Sequence, residues 1–383
     1  MAKGPHVAVI GAGVVGVATT VNLIARGARV ALLEARSVAT GSSGRSCGMV
    51  GTQFTDPFDL ELRIHAMRQF RAWRTDLGLS FHPIGYLRLA RTSAQMELLE
   101  RTLPLRTGAG FASRLCGPAE IRALVPDLDA TEFAGGSFGP EDGFIDPHQM
   151  CSLLVAWLRE RGGALRQGSA VEGVDRHGAG WRLATGNGPV EADVVVNAAG
   201  AWASQVAEMF GQTLHVRGER HEALEIALDR PLDYIMPMVM DLLNGEGTGL
   251  NFRHDGPGRM LTEIHKVDTT APEDPDGYND QCEEATKVEL AEALLDRLPA
   301  LTGARLGRGW AGLYPVTADH RPLVGPIDPA EPSVVTAAGA GGYGIQLSPV
   351  IGQAAADWAV HGGTPSAPAL EALRPMPERN VAV

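Results

Sequence analysis

Three glycines and a glutamate are the first residues whose types and spacing could do chemistry. Gly11, Gly13 and Gly16 stand in the spacing G-x-G-x-x-G, between an apolar strand pattern at 6–10 and a helical pattern in which Val17, Val21 and Ile24 recur. Gly11 permits a tight turn, Gly13 lets the backbone of Val14 and Val15 approach a pyrophosphate, and Gly16 lets the helix pack against the strand. Gly27 stands where the helix should stop, and a second strand pattern at 29–33 runs into Glu34, Ala35 and Arg36. The Glu34 carboxylate sits where a ribose 2′- and 3′-hydroxyl pair needs an acceptor, and it repels a 2′-phosphate. The motif alone is a weak signal, but a strand, helix, strand and terminal acid around it make a dinucleotide site the favoured reading over a structural turn. A secretion signal opening at Lys3 is the other reading of this stretch; the glycines break its apolar run and no clean cleavage region follows.

The elements that must position such a site can be traced along the chain. The run GSSGRSCGMV at 41–50 brings small residues that let backbone lie against a flat ligand. Asp56-Pro57 and Asp146-Pro147 each predict a helix start, Asp as cap and Pro in the first turn. Strands are expected at 85–90, on both sides of a hairpin tip at Gly186-Asn187-Gly188, and at 194–196, where an apolar run leads to small residues ending at Gly200. From 215 to 309 the pattern becomes antiparallel strands with one amphipathic helix at 286–298. Residues 268–284, acidic and rich in Pro and Gly, read as an exposed excursion.

The 383 residues suit two domains. The expected class is α/β (α+β overall): a discontinuous Rossmann-like domain from 1–85, 147–214 and 310–383, and an inserted antiparallel-sheet substrate domain from 86–146 and 215–309, with the active site where they meet. Hydrophobic residues at 44% and charged residues at 20% are those of an ordinary globular protein. A net charge of −12 without a basic tract argues against nucleic acid, and no apolar run is long enough to span a membrane. Cys47, Cys116, Cys151 and Cys282 lack metal-ligand spacing, so no metal is expected, and so few thiols suit the cytoplasm.

Over nearly its whole length the chain resembles the FAD-dependent amine and amino-acid oxidoreductases of the D-amino-acid oxidase, glycine oxidase and sarcosine oxidase family. The resemblance rests on GAGVVG with LLEA, GSSGRSCGMV, GSAVEGV, VVNAAGAW, and WAGLYPVTADHRPLVG with GAGGYGIQLSP, in that order. It implies extended FAD with its ribose at Glu34 and its adenine near Val171. Ser42, Ser43, Gly44, Arg45, Ser46, Cys47 and Gly48 would lie along the flavin side. Ala199, Gly200, Trp202, Gly312, Gly341, Gly342, Tyr343, Gly344, Ile345 and Gln346 complete the expected cofactor contacts. A helix capped by Ser348, with Pro349 in its first turn, would point its positive end at the flavin. A nicotinamide dehydrogenase shares the first motif but has no need of the later ones.

The reaction implied is oxidation of an amino-acid or N-alkyl amine C–N bond to an imine. The alternatives are oxidation of a 2-hydroxy acid, and service as the flavoprotein subunit of a heteromeric amine dehydrogenase. Arg220 and Arg253 are candidate carboxylate anchors, since a guanidinium matches a carboxylate in geometry and charge; a surface ion pair is the bland reading of either. Tyr314 stands where D-amino-acid oxidase and glycine oxidase carry an Arg, as on the sarcosine oxidase and proline dehydrogenase side of the family. Gly312 replaces the Cys that carries FAD in monomeric sarcosine oxidase, which implies noncovalent FAD, and Gln346 replaces a Lys. Lys266, by its likeness to a segment of sarcosine oxidase, would activate oxygen or else be simply solvated. Met49 would line the substrate side. Cys47 reads as a small filler, His320 as a loop residue, and His221 as facing away from Arg220's pocket. Oxygen or another acceptor would take the electrons, and a homo-oligomer or a heteromeric complex is compatible with the sequence.

Overall fold

The computed structural model describes residues 4–242, 248–266 and 271–382. Its elements, in chain order, begin with β1 (His6–Ile10), α1 (Val14–Ala25), β2 (Arg29–Leu33), α2 (Pro57–Leu77), β3 (Tyr86–Ala90), α3 (Pro147–Glu160), β4 (Ala164–Arg166) and β5 (Val194–Asn197). There follow β6 (Arg217–Ala227), β7 (Met238–Leu242), β8 (Thr248–His254), β9 (Arg259–Lys266), α4 (Glu284–Arg297), β10 (Arg305–Val316), β11 (Leu323–Pro326), β12 (Val334–Ala338) and α5 (Gly344–His361). Shorter strands and helices are given below by residue range.

The first sheet has the order β11-β12-β5-β1-β2-β4, parallel except where β11 turns back against β12. Its central strands are buried on both faces and correspondingly apolar, as parallel strands under helices must be. Val9, Leu32, Phe70 of α2, Leu154 of α3 and Ile351 of α5 share one core. The Asp-Pro helix starts form as read: Asp56 accepts from the Asp59 N–H at 2.8 Å, and Asp146 from those of His148 and Gln149. Gly27 follows α1 with φ +81°, a left-handed conformation that stops the helix.

The second sheet has eight strands, in the order β10-β6-β9-β8-β7-β3, then Gly135–Gly139 and Arg114–Cys116. A separate core lies under it, with Leu87, Phe252 and, from α4, Leu290. One expectation needs correction: the sheet is not wholly antiparallel, because β7 reaches β3 across a long connection and pairs with it in parallel. Residue 310, where the first domain is expected to resume, lies inside β10, which pairs with β6 from Arg305 to Val316.

The acidic excursion is also less free than expected in its described part, with residues 268–270 outside the description. Bridges tie Glu273 to Gly218 and Gln281 to Trp310, laying the segment along the edge of the second sheet.

Where α1 meets β1 the backbones nearly touch: a Cβ on Gly16 would lie 1.8 Å from the Gly11 carbonyl oxygen. Gly16→Ala should therefore push α1 off the sheet, costing about 1–3 kcal/mol in urea unfolding and reducing the FAD retained on purification.

Candidate active site

One cavity of about 600 Å³ runs between the two sheets. One end lies at the β1–α1 turn, where Gly11, Gly13, Val14 and Val15 line it together with Glu34, Ala35, Arg36 and Val171. Glu34 Oε2 accepts from the Ala12 N–H at 2.8 Å and Oε1 from the Arg36 N–H at 2.9 Å, which holds the carboxylate on the cavity wall. Gly13 caps α1 without a side chain, and a Cβ there would meet Ser43 Oγ at 2.9 Å. Gly16 does not line the cavity; it serves the strand–helix contact.

In the middle of the cavity the small-residue run folds as a short 3-10 turn, Ser42–Arg45. Ser42 Oγ donates to the Leu313 carbonyl at 2.6 Å, and the Arg45 carbonyl accepts from Trp310 Nε1 at 2.7 Å, so the run is tied to β10. Ser42, Ser43, Arg45, Ser46 and Cys47 line the cavity, while Gly44 and Gly48 stand behind it. A Cβ on either would lie 2.1 Å from a backbone oxygen, of Ala39 or Ile145. Burial pushes the Cys47 thiol up, the nearby Glu263 adding to the effect, so Cys47 is a poor thiolate. Ala199, Gly200 and Trp202 line the opposite side, with Trp202 Nε1 donating to Asp276 of the excursion at 2.9 Å.

The far end is walled by the second sheet. Alternation along each strand decides which side chains reach it. Glu263 and His265 of β9, Asn251 of β8, Met240 of β7, Tyr86 of β3 and His221 of β6 line the cavity with Gly312 and Tyr314 of β10. The Tyr314 ring stacks on His221 with centroids 3.8 Å apart, and its hydroxyl donates to Glu263 Oε2 at 3.4 Å. Met49, Gly341, Gly342, Tyr343, Gly344, Ile345 and Gln346 close this end.

Three expected substrate residues lie elsewhere. Arg220 is held by the Asn279 and Gln281 carbonyls at 2.8 and 2.6 Å and by Glu222 at 3.0 Å; His221, expected to face away, is the one that lines the cavity. Arg253 is buried over the Phe144 ring, donating to the Cys47 carbonyl at 3.0 Å and to Asp255 at 2.8 Å. Lys266 pairs with Glu289 of α4 at 2.7 Å, one residue out of phase with the cavity-facing Glu263 and His265. The sequence signal for Glu263 and His265 was strand parity in EIHKVD, which puts them on one face and the lysine on the other. Asn251, Tyr86, Met240 and Asp276 carried no motif.

The helix start is a further correction. α5 begins at Gly344, after a 3-10 turn at Gly341–Tyr343, so Ser348 and Pro349 lie inside it. Pro349 has no N–H to give the Ile345 carbonyl four residues back, and Ser348 Oγ donates to that carbonyl instead, at 3.0 Å. The first turn that opens on the cavity is Gly344, Ile345 and Gln346, whose N–H groups have no intrahelical acceptor.

The electrostatics of the sheet end follow from desolvation. It raises the Glu263 carboxyl to about 7, against hydrogen bonds from Tyr314 and Asn251 and the charge of Arg253. It lowers His265 to about 4, helped by His221, and raises the Tyr314 hydroxyl well above the usual range, with Glu263 adding to the rise.

These residues fit FAD. The cradle is long, open at two helix N-termini, narrowed where a Cβ on Gly13 or Gly342 would meet Ser43 or the Tyr314 ring, and supplied with the Glu34 carboxylate, which would accept from ribose hydroxyls. A family model described as DAO, FAD dependent oxidoreductase, matches residues 6–358. The chain belongs to this family of FAD-dependent oxidoreductases. Mitochondrial dimethylglycine dehydrogenase of Mus musculus is 27% identical over 375 residues, covering 93% of this chain. The chain spans only 42% of that relative's length. Glycine oxidase of Geobacillus kaustophilus (strain HTA426) is 26% identical over 360 residues, 92% of each. Among solved structures, L-proline dehydrogenase from P. horikoshii matches with a TM-score of 0.86 at 25% identity, over 98% of both chains.

A raised carboxyl favours the folded state where the folded protein holds a proton the unfolded chain has lost. The Glu263 contribution should be fully present below the ordinary 4.5 and lost as pH rises through about 7. In urea unfolding of the FAD-free protein, Glu263→Gln should remove that decline between 4.5 and 7.

Proposed function

We propose that this enzyme oxidises the C–N bond of an amino acid or a secondary or N-alkyl amine to an imine, which water hydrolyses. The observation that carries the reading is the single cavity joining the Gly11–Glu34 end to a sheet wall of aromatic, amide, imidazole and carboxyl groups. The relatives support it: each of those named is called after an amino acid or an N-methyl amino acid.

Bound FAD supplies the acceptor for the hydride that leaves the amine-bearing carbon. The protein positions that carbon and excludes water. Tyr86, Met240, Met49 and Tyr343, with Phe54 behind them, form an apolar cluster on the cavity wall. Gly11, Gly13 and the start of α1 would hold the pyrophosphate, Glu34 the ribose hydroxyls, and the backbone at Val171 the adenine. The first turn of α5 offers N–H groups where negative charge develops on reduction. Tyr314 donates a hydrogen bond at the substrate end, and His265, kept neutral by burial, cannot repel a cationic amine there. As the α C–H bond breaks with its electron pair, the nitrogen lone pair closes the C=N bond, so the amine must be unprotonated at that moment. Position 312 is a glycine, with no side chain to form a covalent link to the cofactor there. Oxygen or a second redox partner then takes the electrons, and four buried free thiols are compatible with a reducing compartment.

Anaerobic mixing of the FAD-loaded enzyme with D-, L- and N-methyl amino acids, simple amines and 2-hydroxy acids tests the reading. The yellow absorbance should bleach with members of the amine panel and give ammonia or an amine on turnover. Bleaching by hydroxy acids alone, with a ketone as sole product, would sink it. Lys266→Met should leave both bleaching and reoxidation unchanged.

A further inference from the structure

The charges on the cavity wall point to how the substrate is recognised. Among the described residues that line the cavity, the only Arg or Lys side chains are Arg36 and Arg45. Arg36 lies at the ribose end, over the Trp202 ring and 3.6 Å from Asp276. Arg45 is turned toward the Thr40 carbonyl and Asp280, at 2.9 and 3.2 Å. Arg220, Arg253 and Lys266 are engaged away from the cavity, as described above. Arg63 is buried nearby with Nε and Nη2 unpartnered, but it stands behind the rings of Phe54 and Tyr343 at 3.6 and 4.6 Å and does not line the space. Among the described residues, the sheet end therefore presents no Arg or Lys to a carboxylate.

It presents a carboxylate instead. Glu263 is held only at the outer limit of hydrogen bonding, by Tyr314 Oη at 3.4 Å and Asn251 Nδ2 at 3.5 Å, and makes no ion pair. Beside it, Asn251 is 3% exposed and its Oδ1 has no partner. Two acceptors with unused capacity stand together, and a secondary ammonium carries two N–H donors. The rings of Tyr314, Tyr343, His221 and His265 crowd the same end, with centroid separations between 3.8 and 5.9 Å, and the phenol faces favour a cation further. A buried carboxylate whose charge is offset only in part, by an Arg253 that is itself paired with Asp255, is costly, and its raised carboxyl records that cost.

We propose that Glu263, with Asn251 beside it, selects the substrate by its ammonium group, so that the preferred substrates are amines for which a carboxylate on the reacting carbon is dispensable. This rests on the oxidation reading for the chemistry and adds the recognition. Before reaction one proton passes from the ammonium nitrogen to a Glu263 oxygen, which frees the lone pair.

The test is anaerobic bleaching of the FAD-loaded enzyme by matched pairs: pyrrolidine against proline, and N-methylbenzylamine against N-methylphenylglycine. The amine of each pair should bleach the flavin at least as efficiently as the amino acid. Glu263→Gln should raise the amine's half-saturating concentration by about tenfold to a hundredfold at unchanged FAD content, with Glu263→Asp recovering part of it. Bleaching by the carboxylate-bearing members alone, or an unchanged half-saturation in Glu263→Gln, would overturn the proposal. A second readout is calorimetric titration of the wild-type holoenzyme with benzyltrimethylammonium, which has no lone pair to oxidise, and with benzoate. Saturable binding of the cation, weakened by Glu263→Gln, supports the recognition even if no amine bleaches the flavin, in which case the oxidation reading alone has failed. Binding of benzoate in preference to the cation overturns it.

Discussion

Close approach of backbone to backbone is the constraint on which the rest of this structure depends. The Gly16 contact sets α1 so near β1 that its N-terminus opens on the cavity and not above it. The same economy of side chain recurs in α5, where a Cβ on Gly352 would lie 2.7 Å from the Ala18 carbonyl carbon and the Thr19 nitrogen. The two helices that aim their first turns at the cavity are thus packed against each other through a position that tolerates no side chain. Their relative placement is set by covalent geometry and close packing, which deform little.

The second sheet solves a different problem, which is to present polar groups to an enclosed space without leaving charges loose elsewhere. Alternation sends Glu263 and His265 of β9 and His221 and Ala223 of β6 into the cavity, with Glu222 also at its wall, and turns Lys266 and Arg220 away from it. The outward charges are then absorbed: Lys266 by α4, Arg220 by the carbonyls of the excursion, and Arg253 by the flavin-side run and Asp255. Those three cations therefore act as struts joining the sheet to its surroundings. Removing either of the two buried ones, Arg220 or Arg253, would disturb the site indirectly, through the segments it holds, whereas the half-exposed Lys266 pair with Glu289 carries no such load.

Much of the fold was legible because its signals are local. The glycine turn, the two Asp-Pro helix starts and the buried strand before Gly200 depend on neighbours in the chain, and the structure has them where the residues point. The misreadings share one cause: they required knowledge of which face of a strand, or which turn of a helix, meets the cavity. A cation looked like the useful group in both RGERHEALEI and EIHKVD, yet strand phase gives the cavity to His221 and to Glu263 with His265. Ser348-Pro349 has the composition of a helix start, but four residues of helix precede it, because Ser348 Oγ satisfies the carbonyl that proline leaves open. Residue 310 looked like a return to the first domain because the motif there resembles a cofactor contact. The strand that carries it pairs within the other sheet, and its Gly312 and Tyr314 line the cavity.

A chain of net charge −12 that holds an anionic dinucleotide must concentrate positive potential where the phosphates lie. Along this cavity the side-chain cations are few, and Arg36 and Arg45 are each already paired with an aspartate of the excursion. The remaining source is backbone: the uncapped start of α1 at one end and the first turn of α5 at the other, both exposing N–H groups without intrahelical acceptors. Such donors are fixed in direction and carry no side-chain entropy to lose on binding, so they suit a ligand held along its whole length. They also leave the sheet end free of mobile cations. A carboxyl group can therefore stand there against Tyr314 and Asn251 with its charge unspent, available to whatever cation enters.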